Sequence, residues 1–428
     1  MREMKDSGID WIGKIPKSWK VSTIKREYSF QTGWTPSTDK DDYFDGDNIW
    51  ANISDLKQKT IFESQKHISD EAVQVSSMNI SPKGSLMYAF KLSVGAVSFC
   101  GCDMYTNEAI ATFLPGKNSL DYLYYLAPLA IIKNANENIY GAKLLNQQLI
   151  RNAKIILPPV DEQHQIAKYL DENCAKIDAV IARQQEAIEK LKAYKLSVIT
   201  EAVTKGLIPN VPMKDSRLEF MGEVPEHWRM IRLKFLMTHI IDCPHETPNY
   251  SSDGDYLVIR TADEDFGFLR ADEDMYRLDE TEYQNRIRRL PLDKDDIVYG
   301  REGERWGLAC LVPESNRYCL GQRMMQFRCN TDIILPEFAM WELNSRYVYL
   351  QGSVDTIGST SPHVNISTMR NYIIPVPPLS EQRVIVEVIR NKTNRIDREV
   401  KKRERLIDKL TEYKKSLIYE VVTGKREV

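Results

Sequence analysis

Residues 157–170 read LPPVDEQHQIAKYL, and residues 376–389 read VPPLSEQRVIVEVI. At an offset of 219 residues, each sets a proline pair and a Glu-Gln ahead of a long charged stretch with regularly spaced apolar residues. The residue before a proline avoids the helical region, so each pair closes an extended segment. Asp161 and Ser380 then stand where an N-cap belongs, able to accept bonds from free backbone amides. Glu162 and Glu381 fall favourably in the first turn. In the first run Ile166, Leu170, Cys174, Ile177, Ile181, Ile188, Leu191, Val198 and Ala202 follow spacings of three, four or seven. In the second, Ile385, Ile389, Thr393, Ile396, Val400, Ile407, Leu410, Leu417 and Val421 take the same places. This is a narrow apolar stripe at coiled-coil spacing. No glycine or proline interrupts either run before Gly206 and Gly424.

A helix from 161 to 203 would be roughly 65 Å long at about 1.5 Å per residue. A small globular domain cannot bury such a stripe alone, and the obvious partner is the other copy. Two similar helices, each following a similar domain, pair most simply through a pseudo-two-fold axis, hence antiparallel, with the domains at opposite ends of a rod. The competing reading has each helix packed on its own domain.

Working outward, the openings of the two halves also repeat. KDSGIDWIGKIPKSWKVSTIK, from Lys5, matches KDSRLEFMGEVPEHWRMIRLK, from Lys214, at an offset of 209, sharing Gly13/Gly222, Pro16/Pro225 and Trp19/Trp228. The middles diverge. KGSLMYAFKLSVGAVSF, from Lys83, and KDDIVYGREGERWGLACL, from Lys294, both predict a strand-loop-strand unit. A period near 215 residues means duplicated domains, not a solenoid of short repeats. The expected fold is mixed α+β, with globular domains at 1–157 and 208–375 and coiled-coil helices at 158–207 and 376–428.

The 428 residues exceed one ordinary core. With 42% hydrophobic and 28% charged residues, the composition is that of a soluble globular protein. No apolar run approaches the roughly 20 residues of a membrane span. The opening MREMKDSGID lacks the apolar core of a signal peptide, so a cytoplasmic location is expected. The seven cysteines form no CxxC pair, and the six histidines are scattered, so no metal site is expected. A net charge of -3 does not announce a nucleic-acid binder; any DNA-facing basic groups must be concentrated on one face.

The duplicated openings, the two LPPVDEQ/VPPLSEQ motifs and the helices they head resemble, over essentially the whole chain, the specificity subunit of type I restriction-modification systems. The resemblance implies two target recognition domains, each reading one half of a split, asymmetric double-stranded DNA site. It implies that the coiled coil sets the spacing and docks two modification subunits, which carry S-adenosylmethionine and methylate adenine. Restriction subunits would join for ATP- and Mg-dependent cleavage. No cofactor, metal or catalytic residue is then expected in this chain. The residues agree: the Pro-Pro pairs are flanked by Leu157 and Val160, and by Val376 and Leu379, so the methyltransferase Asn/Asp-Pro-Pro-aromatic motif is absent. No GxxxxGK[ST] loop occurs either.

Candidate DNA contacts lie in loops after apolar strands. Arg260 follows one strand, and Asn52 occupies the counterpart position. Arginine and asparagine are the side chains best shaped for bidentate contacts to guanine and adenine. Arg301 and Arg305 lie in a glycine-bounded loop matched by Lys91. Gln322 and Arg323 stand opposite Asn107, and Ser359, Thr360 and His363 opposite Lys143. Each could instead be a surface salt bridge or a turn residue. Trp50 and Trp306 are expected in the core, because duplex DNA exposes no base face. The alternatives to a DNA-reading subunit are a scaffold whose two domains bind proteins, and a self-contained modifying enzyme.

Overall fold

The computed structural model describes residues 2–137, 143–270, 272–356 and 362–428. The chain divides into two compact units, residues 1–183 with 406–428, and residues 184–405. Each is a mixed α+β body, and each contains part of both long helices.

The first unit opens with the antiparallel hairpin Met4–Asp6 and Lys14–Pro16. Strand Lys20–Thr23 then pairs antiparallel with Lys154–Leu157, the segment just before the prolines. Chain entry and exit are thus zipped together beneath Trp19, which is 1% exposed. Beyond them a five-stranded sheet runs in the order Phe30–Thr32, Ile110–Phe113, Leu86–Ala89, Val97–Cys100, Thr60–Ile61. A smaller sheet centres on Asn48–Ala51, parallel to Tyr105–Thr106 and antiparallel to His67–Ile68.

The second unit repeats this plan. Hairpin Met213–Asp215 and Glu223–Pro225 comes first, then Arg229–Arg232 pairs with Ile373–Val376 over the buried Trp228. Its main sheet orders Met237–Asp242, Met324–Cys329, Ile297–Gly300, Ala309–Leu311. Its small sheet centres on Tyr256–Ile259, parallel to Tyr318–Leu320 and antiparallel to Tyr276–Leu278. The two strand-loop-strand expectations correspond to Leu86–Ala89 with Val97–Cys100 and Ile297–Gly300 with Ala309–Leu311.

The long helices run Val160–Lys205 and Leu379–Val422. Asp161 and Ser380 are not N-caps. The first intrahelical bonds reach the proline carbonyls themselves, from Gln163 to Pro159 at 2.9 Å and from Gln382 to Pro378 at 3.0 Å. Asp161 and Ser380 therefore lie inside the first turn. The glutamines also have a second role. Gln163 is 1% exposed; its Oε1 accepts from the Ser119 amide at 2.9 Å and its Nε2 donates to the Pro158 carbonyl at 3.0 Å. Gln382 is wholly buried; Oε1 accepts from the Leu335 amide at 2.8 Å, and Nε2 donates to the carbonyls of Pro377 and Ile333, each at 2.9 Å. Ser119 and Leu335 are the N-caps of helices Leu120–Ala130 and Pro336–Leu343. In each unit one amide side chain thus ties the free N–H at the start of a domain helix to a carbonyl just before the long helix.

The helices run antiparallel in each unit. In the second unit Lys195 Nζ lies 2.9 Å from Asp397, and Arg403 donates to Gln184 at 2.6 Å. In the first unit Lys414 meets Asp178 at 2.7 Å, while Arg2 bridges Glu162 and Glu427. Lys195–Asp397 and Lys414–Asp178 are the same pair by sequence, at offset 219. Partly exposed pairs of this kind contribute about 0–1 kcal/mol, against about 1.5–3 kcal/mol for burying one Leu or Ile. The ion pairs accordingly set register, and apolar burial sets stability.

None of the predicted stripe residues is exposed. Ile188, Val198 and Ile396 are buried, and Ile181, Leu191, Val400, Ile407 and Leu410 are half-buried. The ends of the stripe differ from a pure coiled coil, because domain side chains share them. Ile166, Leu170, Ile177 and Leu417 enter one core with Trp19, Tyr122 and Leu126. Ile385 and Ile389 join another with Trp228, Phe338 and Tyr347. Each helix stops at a glycine with positive φ, Gly206 at 73° and Gly424 at 70°. A Cβ there would sit 3.1 Å from the ring of Trp228 or Trp19 respectively.

Gln382→Leu keeps the volume but strands the Leu335 amide and two carbonyls in the core. The expected cost is about 2–3 kcal/mol, read as a lower urea midpoint for the second unit. An unchanged midpoint would remove the glutamine tie as a structural requirement.

Candidate DNA-recognition surfaces

The central strand of each small sheet ends in the same turn. In the first unit Asn52 follows Ala51, and its backbone amide donates to Asp55 Oδ2 at 2.9 Å. In the second, Arg260 follows Ile259, and its amide donates to Asp263 Oδ2 at 3.0 Å. Next to this turn the Asn107 amide donates to the Ala51 carbonyl at 3.0 Å, as Gly321 does to Ile259 at 2.8 Å. The Phe90 amide reaches the Ala109 carbonyl, and Arg301 reaches Arg323, both at 3.0 Å. Backbone bonds thus gather three variable segments at one edge of each unit. The structural counterpart of Asn107 is Gly321 and that of Arg301 is Phe90, each one residue off the sequence pairing.

In the first unit Asn52, Lys91 and Asn107 come together. Lys91 Nζ lies 3.3 Å from Glu108, which also accepts from Thr35. Burial opposes the charge on Glu108, but the bonds from Thr35 and Lys91 hold its carboxyl below the usual range. Asn52 Oδ1 accepts from the Ser54 amide at 2.9 Å, and Asn107 Oδ1 from the Ala109 amide at 3.1 Å, so both amides shape turns. Two large apolar side chains that sequence reasoning missed, Leu92 beside Lys91 and Trp34, whose amide donates to the Thr106 carbonyl at 2.9 Å, are 73% and 58% exposed. Lys143 lies on the hairpin Asn136–Glu137 and Lys143–Leu144 and pairs with Glu137, whose carboxyl it lowers. Among the described residues no hydrogen bond or ion pair joins it to the other three.

In the second unit three of the basic candidates converge on one carboxylate. Glu302 lies 2.9 Å from Arg301, 3.1 Å from His363 and 4.0 Å from Arg323. Arg301 is 5% exposed and also meets Asp242 at 3.3 Å, so its guanidinium braces the loop from within. Arg323 is held at φ 68° and its side chain is 55% exposed. Gln322 donates to Thr247 at 3.2 Å. Arg305 donates to the carbonyls of Thr261 and Glu264, closing the loop onto the turn after Arg260. Ser359 and Thr360 lie outside the described residues. Trp50 and Trp306 are buried, 4% and 5% exposed, as expected of core residues. Asp55 and Asp263 went unread in the sequence, although NISD and RTAD at offset 208 carry the signal.

The seven cysteines are free thiols. Among the described residues no group of three or more His, Cys, Asp or Glu could hold a metal ion. Nor, among them, is any helix long and apolar enough to cross a membrane.

A domain pair with matched frames, dissimilar loop chemistry and long helices defines a recognition protein, and comparison with known proteins gives its class. The model of the type I restriction modification DNA specificity domain family matches residues 16–190 and 242–407, and the chain belongs to that family. The specificity subunit of the type I restriction enzyme MjaVIII from Methanocaldococcus jannaschii is 24% identical over 425 residues, covering 97% of this chain and 94% of that one. The EcoKI specificity subunit of Escherichia coli strain K12 is 25% identical over 407 residues, covering 87% and 82%. A solved chain, from work on complex assembly and conformational transition of the type I R-M system, aligns with a TM-score of 0.70 at 15% identity. It covers 96% of this chain and 99% of that chain, and the likeness establishes the fold. The chain is thus a specificity subunit, with DNA sequence recognition as its role.

The second unit carries an electrostatic burden that the first lacks. Glu264 and Glu342 are wholly buried, and burial pushes both carboxyls well above the usual carboxylate range. Their counterparts in the first unit are the buried Leu56 and Leu126. The native state keeps protons that the unfolded chain releases above pH 4.5. Stability contributed by these groups is therefore full below that pH and falls as pH rises, by up to about 1.4 kcal/mol per pH unit for each group. Glu342→Leu should flatten the decline of the second unit's urea midpoint between about pH 5 and 8. An unaltered slope would show that Glu342 titrates normally in the fold.

Proposed function

We propose that the chain reads a bipartite, asymmetric DNA sequence, one half-site through each unit, as the specificity component of a cytoplasmic restriction-modification complex. The observation that carries this reading is the matched frame with unmatched side chains. The same backbone bonds present Asn52 in one unit and Arg260 in the other, Phe90 against Arg301, and Asn107 against Gly321. A frame that repeats while its loop chemistry changes suits two different half-sites.

In this reading the paired helices set the number of unread base pairs and dock two modification subunits. Those subunits supply S-adenosylmethionine and adenine methylation, and restriction subunits bring ATP- and Mg-dependent cleavage. Successive major-groove faces recur about every 34 Å, so recognition surfaces carried on long helices suit half-sites separated by unread pairs. The modest net charge places the burden of specificity on local loop chemistry rather than on a basic field.

Replacing residues 15–145 with the same segment of a relative, and sequencing methylated adenines in cells carrying the matching modification subunit, should change one half-site and leave the other intact. A change in both would end the assignment of one half-site to each unit. Loss of no methylated motif on deletion of the gene would reject the DNA-reading role, provided no related specificity gene is active.

A further inference from the structure

We propose that Arg260 reads a guanine in the half-site taken by the second unit, and that Asp263 and Tyr276 are positioning residues that aim it. The inference rests on the DNA-reading role proposed above and goes on to name the base and the side chains.

Arg260 is held on two sides. Its Nε donates to Asp263 Oδ2 and its Nη2 to Asp263 Oδ1, both at 2.7 Å. The Asp263 side chain is 1% exposed, while that of Arg260 is 25% exposed. A buried carboxylate therefore anchors a guanidinium that still reaches solvent. The guanidinium has five N–H donors. Asp263 takes the side edge, which leaves the end-on edge of Nη1 and Nη2 to face outward with one N–H each. That fork matches O6 and N7 of guanine in the major groove.

Tyr276 fixes the plane. Its ring centroid lies 3.7 Å from the guanidinium carbon. Tyr276 pairs with Val258 across the sheet, so its ring meets the side chain two residues on, as diagonal neighbours do. Tyr250 packs edge-on against Tyr276 at 4.5 Å. The planar fork is thus oriented before any ligand arrives.

The first unit shows that this arrangement is not required by the turn. Asp55 accepts the Asn52 backbone amide as Asp263 accepts that of Arg260, with no arginine present. The Asn52 side chain is instead spent on Ser54. Arg260 and its two supports are therefore additions to a turn that already closes. The pair is also neutral overall, which suits discrimination between bases better than attraction to phosphates.

The test uses the full chain in complex with its modification subunit, bound to duplexes in which each base pair of the methylated motif is varied. The wild-type complex should prefer one G·C pair in the half-site that survives replacement of residues 15–145. Arg260→Ala and Arg260→Lys should lose that preference by about ten- to a hundredfold at this position alone. The lysine variant keeps the charge but lacks the fork. Asp263→Asn should lose part of the preference and Tyr276→Ala part, whereas Tyr276→Phe, which keeps the ring, should retain it. A surviving half-site without a G·C pair would overturn the proposal. So would a uniform affinity loss across all positions with a shallower salt dependence, which would make Arg260 a phosphate contact. A wild-type complex with no sequence preference at all would instead reject the DNA-reading role beneath it.

Discussion

A single buried amide in each unit decides how a recognition domain gives way to a helix. Gln163 and Gln382 each accept from the amide that begins a neighbouring domain helix and donate to a carbonyl of the proline pair. Strand exit, long-helix start and domain-helix start therefore move as one piece. Because the groups involved are buried backbone amides and carbonyls, a loosened tie cannot be compensated by water. The angle at which the long helix leaves its domain follows from this, and the register of the helix pair is then free to be set by small terms such as Lys195–Asp397 and Lys414–Asp178.

Above that junction the division of labour is between backbone and side chain. Main-chain bonds such as Asn107 to Ala51 and Gly321 to Ile259 place the loops without reference to what the loops carry. Side chains at those positions can then vary widely at little cost to the fold. The second unit uses this freedom for charge: Arg301, Arg323 and His363 around Glu302, with Arg260 set against Asp263. The first unit leaves Trp34 and Leu92 exposed beside Lys91 and Glu108. Two units with one frame thus offer chemically different faces.

The features legible in the sequence were those with a period or an exact repeat. The long helices follow from a stripe spaced three, four and seven, and the duplicated opening marked Trp19 and Trp228 as equivalent anchors. The loops carrying Asn52, Lys91 and Asn107, and Arg260, Arg301 and Arg323, are gathered by backbone bonds between segments far apart in sequence, which no local pattern reports. What escaped depends on three-dimensional reach. Asp161 and Ser380 look like caps, but the proline carbonyls already serve, and no local pattern reports that. The buried glutamines look like surface residues of a charged helix until their partners, 44 and 47 residues away, are in view. Arg301 looks like a surface contact, yet its guanidinium is enclosed by its neighbour Glu302 and by Asp242, 59 residues away in sequence.

The interleaving of the units has a consequence for the order of synthesis. Leu417, Val421 and Val422 lie in the core of the unit that begins with the first residues of the chain, and the Tyr122 hydroxyl donates to the Val422 carbonyl at 3.1 Å. The second unit is complete once residue 405 is available. A ribosome therefore releases the parts of the second unit before the last piece of the first, although the first was begun earlier. Until then the amino-terminal unit lacks the carboxy-terminal turns of the second long helix that contribute to its core. A chain truncated after residue 405 should therefore resist protease across the second unit while its first 183 residues remain open to attack.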